Sequence, residues 1–118
     1  MKVIESLLKG VKLIEPKAYG DHRGFFLESY NEQAFHEAGI TERFIQDNHS
    51  LSREAGVIRG MHYQLAPKAQ AKLIRVATGA IYDVVVDMRK ESPTYGKWEG
   101  YILSEHNKHQ LLVPKGFA

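Results

Sequence analysis

Side chains capable of acid–base chemistry stand in the most strand-like stretch of the sequence, residues 56–76 (GVIRGMHYQLAPKAQAKLIRV). Two apolar, β-branched-rich runs, Val57–Leu65 and Ala69–Ala77, flank a short proline-containing turn, a pattern that predicts a β-hairpin. The hairpin would carry an imidazole, an ammonium and a guanidinium, from His62, Lys72 and Arg59. A base and two cations on neighbouring strands suit chemistry on an anionic carbonyl substrate.

A glycine lies between two of these side chains and suggests how they could meet. Alternation along a strand would send Arg59 and His62 to opposite faces. Glycine within a strand often marks a bulge that redirects a side chain. We therefore predict a distortion near Gly60 that brings Arg59 and His62 to one cavity, with Lys72 opposite His62 on the second strand. The alternative is a half-solvated sheet whose polar side chains simply face water.

Composition indicates one globular domain over residues 1–118 and excludes several functions. Apolar residues make up 43% and charged residues 25%, as in ordinary globular proteins. The absence of cysteine excludes disulfides and thiolate metal sites and fits the cytoplasm. Charges interrupt the N-terminal apolar residues, which argues against a secretory signal or a membrane span. A net charge of +2, without a basic run, argues against nucleic-acid binding.

The spacing of strand-like runs and Gly/Pro turns predicts an all-β antiparallel sandwich or barrel with one short helix. The helix is predicted over Asn31–Ala38, where Asn31 caps its N-terminus and Gly39 ends it. Glu28 falls on an aromatic strand face, so we expect it to pair with a cation or a ligand. The other predicted strands are Val11–Glu15, Phe25–Tyr30, Phe44–Asn48, Ile81–Met88, Trp98–Leu103 and Gln110–Val113.

Motifs that span nearly the whole chain form a recognisable series. They are residues 20–30 (GDHRGFFLESY), 44–52 (FIQDNHSLS), 56–64 (GVIRGMHYQ), 69–76 (AQAKLIRV), 83–89 (DVVVDMR) with 92–96 (SPTYG), and 103–118 (LSEHNKHQLLVPKGFA). In this order they resemble the dTDP-4-dehydrorhamnose 3,5-epimerase family. The resemblance implies a cupin-like jelly roll that acts as a homodimer. It also implies conversion of dTDP-4-dehydro-6-deoxy-D-glucose to dTDP-4-dehydro-L-rhamnose, for dTDP-L-rhamnose biosynthesis, without a cofactor.

The resemblance also implies roles for individual residues. His62 matches the general base, and Lys72 matches a lysine that contacts the sugar near its keto oxygen. The expected substrate-binding residues are Arg23, Phe26, Glu28, Gln46, Asp47, Asn48, Arg59 and Lys72. The family pattern continues after Ala118 with a general-acid tyrosine and a carboxylate that orients the base. We therefore expect this chain to be the N-terminal part of something longer.

Other functions remain open at this point. Cupins often bind a metal through an HxH pair, but the equivalent triplet here is His62-Tyr63-Gln64, so we expect no metal. His106 and His109 are expected to lie in a solvated loop. A non-catalytic sugar-nucleotide binding module would use the same arginines and QDN segment. A single-site epimerase or keto-isomerase could be built on the same scaffold.

Two aspartates on one face of the predicted strand Ile81–Met88 have a structural interpretation. We expect Asp83 and Asp87 to pair with Arg75 or Arg89 or to cap turns. The alternative for Asp83 is that it orients an active-site group.

Overall fold

The computed structural model describes residues 1–118 and contains eight short strands and one helix. All strand pairs are antiparallel. The expected all-β class with one short helix is confirmed. The elements are β1 (Lys2–Glu5), β2 (Lys12–Glu15), β3 (Ala18–Asp21), β4 (Gly24–Leu27), α1 (Glu32–Glu37), β5 (Lys72–Arg75), β6 (Ala80–Val86), β7 (Trp98–Ser104) and β8 (Gln110–Val113).

A four-stranded sheet in the order β1-β2-β8-β5 forms the centre of the molecule. Strand alternation sends Leu111 and Val113 of β8 to one face of this sheet and Leu112 to the other. The first face packs against the β6–β7 ribbon through Val85 and Leu103. We call the space between them the interlayer core.

The opposite face of the sheet is covered by α1 and the residues that follow it. Phe35 and Ile40 are buried there against Leu112 and its neighbour in the sheet, Ile14. The cap is the one predicted, because Asn31 Oδ1 accepts a hydrogen bond from the Ala34 amide at 3.0 Å. The predicted helix is thus confirmed, with bounds Glu32–Glu37. No helix in the chain has the length and apolar character needed to cross a bilayer.

A buried aspartate closes the turn after β6. Asp87 is fully buried and receives Arg89 Nε at 2.9 Å and Arg89 Nη2 at 3.0 Å. The hydroxyls of Ser92 and Thr94 donate to its second oxygen. The Arg89 guanidinium also lies 4.6 Å from the centre of the Phe117 ring. The SPTYG motif and the last residues of the chain are therefore joined around one carboxylate, and the expected pairing with Arg89 is confirmed.

A two-stranded hairpin, β3–β4, projects from the sheet; we call residues 18–27 the arm. Its strands are almost entirely exposed, including Phe25 and Phe26. The predicted strand Phe25–Tyr30 is thus replaced by Gly24–Leu27. The Cα radius of gyration is 14.9 Å, against about 13.5 Å for a compact chain of this length. An extended arm that contributes little to the core is consistent with this difference.

The predicted central hairpin is wrong. β5 covers only Lys72–Arg75 and pairs with β8, while Val57–Leu65 forms no strand. The predicted strand Phe44–Asn48 is also absent. Strand propensity is realised only where a neighbouring strand supplies backbone partners and burial. Here the first run stays exposed, with Ile58 at 90% exposure.

The buried Asp87 carboxylate should make stability depend on pH. Hydrogen bonds, led by those from Arg89, hold the pKa of Asp87 far below its usual range. Its contribution is therefore complete above about pH 4 and is lost as the pH falls towards the folded-state value. We expect Asp87→Asn to cost about 2–3 kcal/mol at pH 7. This is below the 3–5 kcal/mol of a fully buried pair, because Arg89 is partly solvated.

Urea unfolding at pH 7 and at pH 3 measures this effect. The deficit of Asp87→Asn should be smaller at pH 3 than at pH 7, because part of the contribution of the native carboxylate is lost below the pKa of the unfolded chain. Asp21→Asn is the matched control, because Asp21 also pairs with an arginine two residues later but on an exposed turn. An equal loss of stability in both variants would contradict a special role for burial.

Candidate active site

The residues expected to bind or transform a substrate lie in three parts of the structure. Arg23, Phe26 and Glu28 belong to the arm or follow it directly. The extended segment 41–71 carries His62, Arg59 and the QDN sequence, and Lys72 lies in the central sheet. Each part is held by different contacts.

The tip of the arm presents an arginine. The turn between β3 and β4 places Arg23 Nη2 2.7 Å from Asp21 Oδ2, and the Arg23 amide donates to Asp21 Oδ1 at 2.9 Å. This contact lowers the pKa of Asp21. The Arg23 side chain is 79% exposed, so its guanidinium is ordered by a local turn but open to solvent. It can receive an anionic ligand only at the end of the arm.

Two clefts flank the base of the arm. The larger, about 410 Å³, is lined by Phe26, Glu28, Tyr19 and Phe35 among others. Glu28 makes no ion pair and is exposed, which corrects the expectation of a cation partner: water solvates the carboxylate. The smaller cleft, about 310 Å³, contains Phe25, Leu27, Arg75, Lys108 and Gln110.

Gln110 lines both clefts and was not singled out by sequence analysis. Its Nε2 donates to the Ser29 carbonyl at 2.8 Å, which ties the exit of the arm to β8. Its Oε1 is buried without a protein hydrogen-bond partner. The available signal was a glutamine at the start of the otherwise apolar run Gln110–Val113. A polar residue there could anchor a neighbouring segment.

The QDN sequence lies on an exposed, irregular part of the chain. Gln46 Nε2 donates to Asn48 Oδ1 at 3.1 Å, and Asp47 is also exposed. The preceding Ile45 is 87% exposed. The three polar side chains are therefore available to a ligand, and only a local side-chain contact orders them.

Arg59 forms hydrogen bonds within the exposed segment 41–71. Its Nε donates to Ser52 Oγ at 3.1 Å and its Nη2 donates to the Leu51 carbonyl at 3.0 Å. These bonds link residues 51–52 to the residue that precedes the glycine–histidine region. They leave the guanidinium exposed, with donors that a phosphate could still use.

Gly60 adopts a backbone conformation suited to a local distortion, but the strand in which a bulge was predicted is absent. Gly60 has a φ of +113°, in the region that favours glycine. A Cβ atom added there would lie 3.3 Å from Nδ1 of His62, so the missing side chain makes room for the imidazole. That Arg59 and His62 share one cavity stays a prediction, and neither residue lines the two clefts beside the arm.

Lys72 lies in the sheet, but not where sequence analysis placed it. Its partner across the strand pair is Val113 of β8, not His62, because β5 pairs with β8. It shares a face with Ile74, which packs against the interlayer core. The ammonium is therefore carried by a half-buried side chain on the face that looks towards β6 and β7.

The remaining histidines lie apart from these groups. His106 Nε2 lies 3.6 Å from Glu105 Oε1, and His109 Nε2 lies 3.7 Å from Glu15 Oε1. His106 is 87% exposed, which confirms its place in a solvated loop, whereas the His109 side chain is 26% exposed. No group of three or more His, Asp or Glu side chains in the chain is arranged to hold a metal ion.

Comparisons with known proteins agree with the motif series. The family described as dTDP-4-dehydrorhamnose 3,5-epimerase matches residues 5–118. A curated relative of that name from Shigella flexneri is 55% identical over 119 residues. The match covers 100% of this chain and 65% of the Shigella protein. The chain thus spans slightly less than two thirds of this relative.

Solved structures give the same result. The enzyme of that name from Bacillus anthracis, solved with TDP and pyrophosphate bound, is 61% identical with a TM-score of 0.96, covering 99% of this chain and 67% of that one. The RmlC epimerase from Legionella pneumophila, in complex with dTDP-4-keto-L-rhamnose, is 51% identical with a TM-score of 0.92. The match covers 99% of this chain and 62% of the Legionella chain. The expected cupin-like architecture is thereby confirmed. The chain belongs to the dTDP-4-dehydrorhamnose 3,5-epimerase family.

Proposed function

We propose that the protein epimerises dTDP-4-dehydro-6-deoxy-D-glucose to dTDP-4-dehydro-L-rhamnose. The observation that carries this proposal is the family match over residues 5–118. Within it we assign the base to His62 and the oxyanion partner to Lys72. The chain is similar over nearly its full length to a structure holding dTDP-4-keto-L-rhamnose. The product would supply dTDP-L-rhamnose biosynthesis, in the cytoplasm.

The first chemical step is removal of a proton beside a ketone. A neutral nitrogen of His62 takes the proton from the sugar carbon next to the keto group, and the C–H electron pair moves to form an enolate. Imidazole suits this task because its unperturbed pKa, about 6.5, lies near the working pH. No electrons leave the sugar, so the chemistry requires no redox cofactor.

The enolate oxygen needs a positive partner. The ammonium of Lys72 would stabilise this charge as it develops, an electrostatic term that is often the largest in such catalysis. Return of a proton to the opposite face inverts the carbon and needs an acid there. The family pattern places that acid, a tyrosine, after Ala118.

Arginines suit the diphosphate of the substrate. Arg23 and Arg59 each offer planar pairs of donors to phosphate oxygens. The sugar and the thymine would be held by Gln46, Asp47, Asn48, Phe26 and Glu28. Because Arg23 lies at the tip of an exposed arm, we propose a homodimer in which the arm of one protomer reaches the site of its partner. The exposed rings of Phe25 and Phe26, at 61% and 73%, suit such an interface.

The role of the imidazole can be tested by isotope exchange. With the dTDP-4-keto sugar in D₂O, NMR follows deuterium entering the carbons beside the ketone. We expect His62→Asn to slow exchange by about 10²–10⁴-fold, because it removes the base, and to leave calorimetric binding of the nucleotide sugar unchanged. His106→Asn, in the solvated loop, is the control. Exchange at the native rate in His62→Asn would remove His62 from this role.

Gly60 offers a second test of the geometry around His62. We expect Gly60→Ala to reduce exchange by roughly 10- to 10²-fold, because its Cβ would crowd Nδ1 of His62 and displace the ring. Gly56→Ala is a matched control: its φ is also positive, +81°, but a Cβ there meets no atom within 4 Å. Equal losses in the two variants would show that backbone strain alone is responsible.

The same measurements separate the alternatives. A non-catalytic sugar-nucleotide binding module would bind the dTDP sugar without exchange in the native chain. A single-site epimerase would exchange one of the two carbons, and NMR distinguishes the two positions. Exchange at both carbons supports the 3,5-epimerase.

A further inference from the structure

Asp83 has no role in the chemistry described so far, although its side chain is half-buried. It shares a face of β6 with Val85, which is buried in the interlayer core. Its partner across the ribbon is Tyr101, which packs against the same core. The carboxylate is therefore directed into the space between the ribbon and the central sheet. The Asp83 carboxylate forms no side-chain hydrogen bond and no ion pair with a nitrogen within 4.0 Å.

Lys72 enters the same space from the opposite layer. It lies across from Val113, whose side chain belongs to the interlayer core. Its face-mate Ile74 packs against that core as well. Alternation along the strands therefore directs Lys72 from β5 towards the ribbon, and Asp83 from β6 towards the central sheet.

Other charged groups near Asp83 are already engaged or lie elsewhere. The Tyr101 hydroxyl donates to Glu99 Oε2, which also accepts from Ser6. Arg89 is bound to Asp87. Arg75 lies on the opposite face of β5, with Leu73, and lines the cleft beside the arm, so the expected pairing of Asp83 with Arg75 is wrong.

The electrostatics agree with this placement. Burial raises the pKa of Asp83, and the positive charge of Lys72 opposes that rise. Lys72 is the one charged neighbour with a resolved effect on this carboxyl group.

We propose that Asp83 is a positioning residue that aims the side chain of Lys72 from the interlayer core. The proposal deepens the proposed function and rests on it for its catalytic meaning. An oxyanion partner must already point at the reacting oxygen when the negative charge develops. A carboxylate in the facing layer attracts the ammonium and limits the directions in which the flexible lysine side chain can point.

A lysine-labelling experiment tests the contact without substrate. Only the neutral amine reacts in reductive methylation with formaldehyde, and peptide mass spectrometry follows Lys72 alone. Asp83→Asn should raise the labelling rate of Lys72 severalfold, because the amine is no longer attracted into the interlayer core and becomes more accessible to the reagent. Asp83→Glu should restore most of the native rate. Glu91→Gln, on an exposed turn, is the control, and an unchanged rate in Asp83→Asn would overturn the proposal.

Thermal unfolding separates a positioning role from a structural one. Because the pKa of Asp83 is raised, its ionised form costs stability as the pH rises above about 4. Asp83→Asn should therefore raise Tm at pH 7 relative to the native chain, with a smaller difference at pH 4. An equal loss of Tm at both values would indicate a purely structural residue and would overturn the proposal.

Isotope exchange connects the contact to catalysis. Asp83→Asn should lower kcat for exchange with little change in KM, and Asp83→Glu should recover part of it. If the native chain shows no exchange, the proposed function fails while the labelling result still decides the contact. If the native chain exchanges and Asp83→Asn exchanges equally fast, the positioning role is overturned.

Discussion

The structure depends on the burial of both faces of one short strand. All four residues of β8 are buried, and the strand pairs with β2 on one side and β5 on the other. Leu111 and Val113 fill the interlayer core, and Leu112 fills the core beneath α1. Because β8 joins both cores, it also fixes β5 and thereby the position of Lys72. Loss of packing at β8 would separate the two layers that the proposed site requires.

Polar contacts attach the ribbon and the arm to the packed central sheet. The carboxylate of Asp87 gathers Arg89, Ser92 and Thr94, and backbone bonds join Val86 to Ala118, so the ribbon is attached to the end of the chain. Gln110 attaches the end of the arm to β8, because its Nε2 donates to the Ser29 carbonyl. The ribbon carries Asp83, the sheet carries Lys72, and the exposed segment carries Arg59 and His62. The residues assigned to the proposed site thus lie partly on packed strands and partly on a solvent-facing segment.

This division suits the proposed function. Arg23, Arg59 and the QDN sequence are exposed, so the sugar nucleotide proposed as substrate would reach them without displacing core residues. The ammonium proposed to stabilise the enolate instead projects from the sheet as a half-buried side chain. The carboxylate of Asp83 in the facing layer would hold it in place before the oxyanion develops.

Local signals in the sequence were sufficient for the helix, its Asn31 cap, the ribbon strands, β8 and the Asp87–Arg89 pair. The cap and the ion pair depend on residues close along the chain, such as the amide three residues after Asn31. Strand pairing is different, because any apolar run can pair with any other. Only the tertiary structure decided that β5 lies beside β8 and that Lys72 and Asp83 border the same interlayer core, since these arrangements join segments that are distant in sequence and are selected by burial.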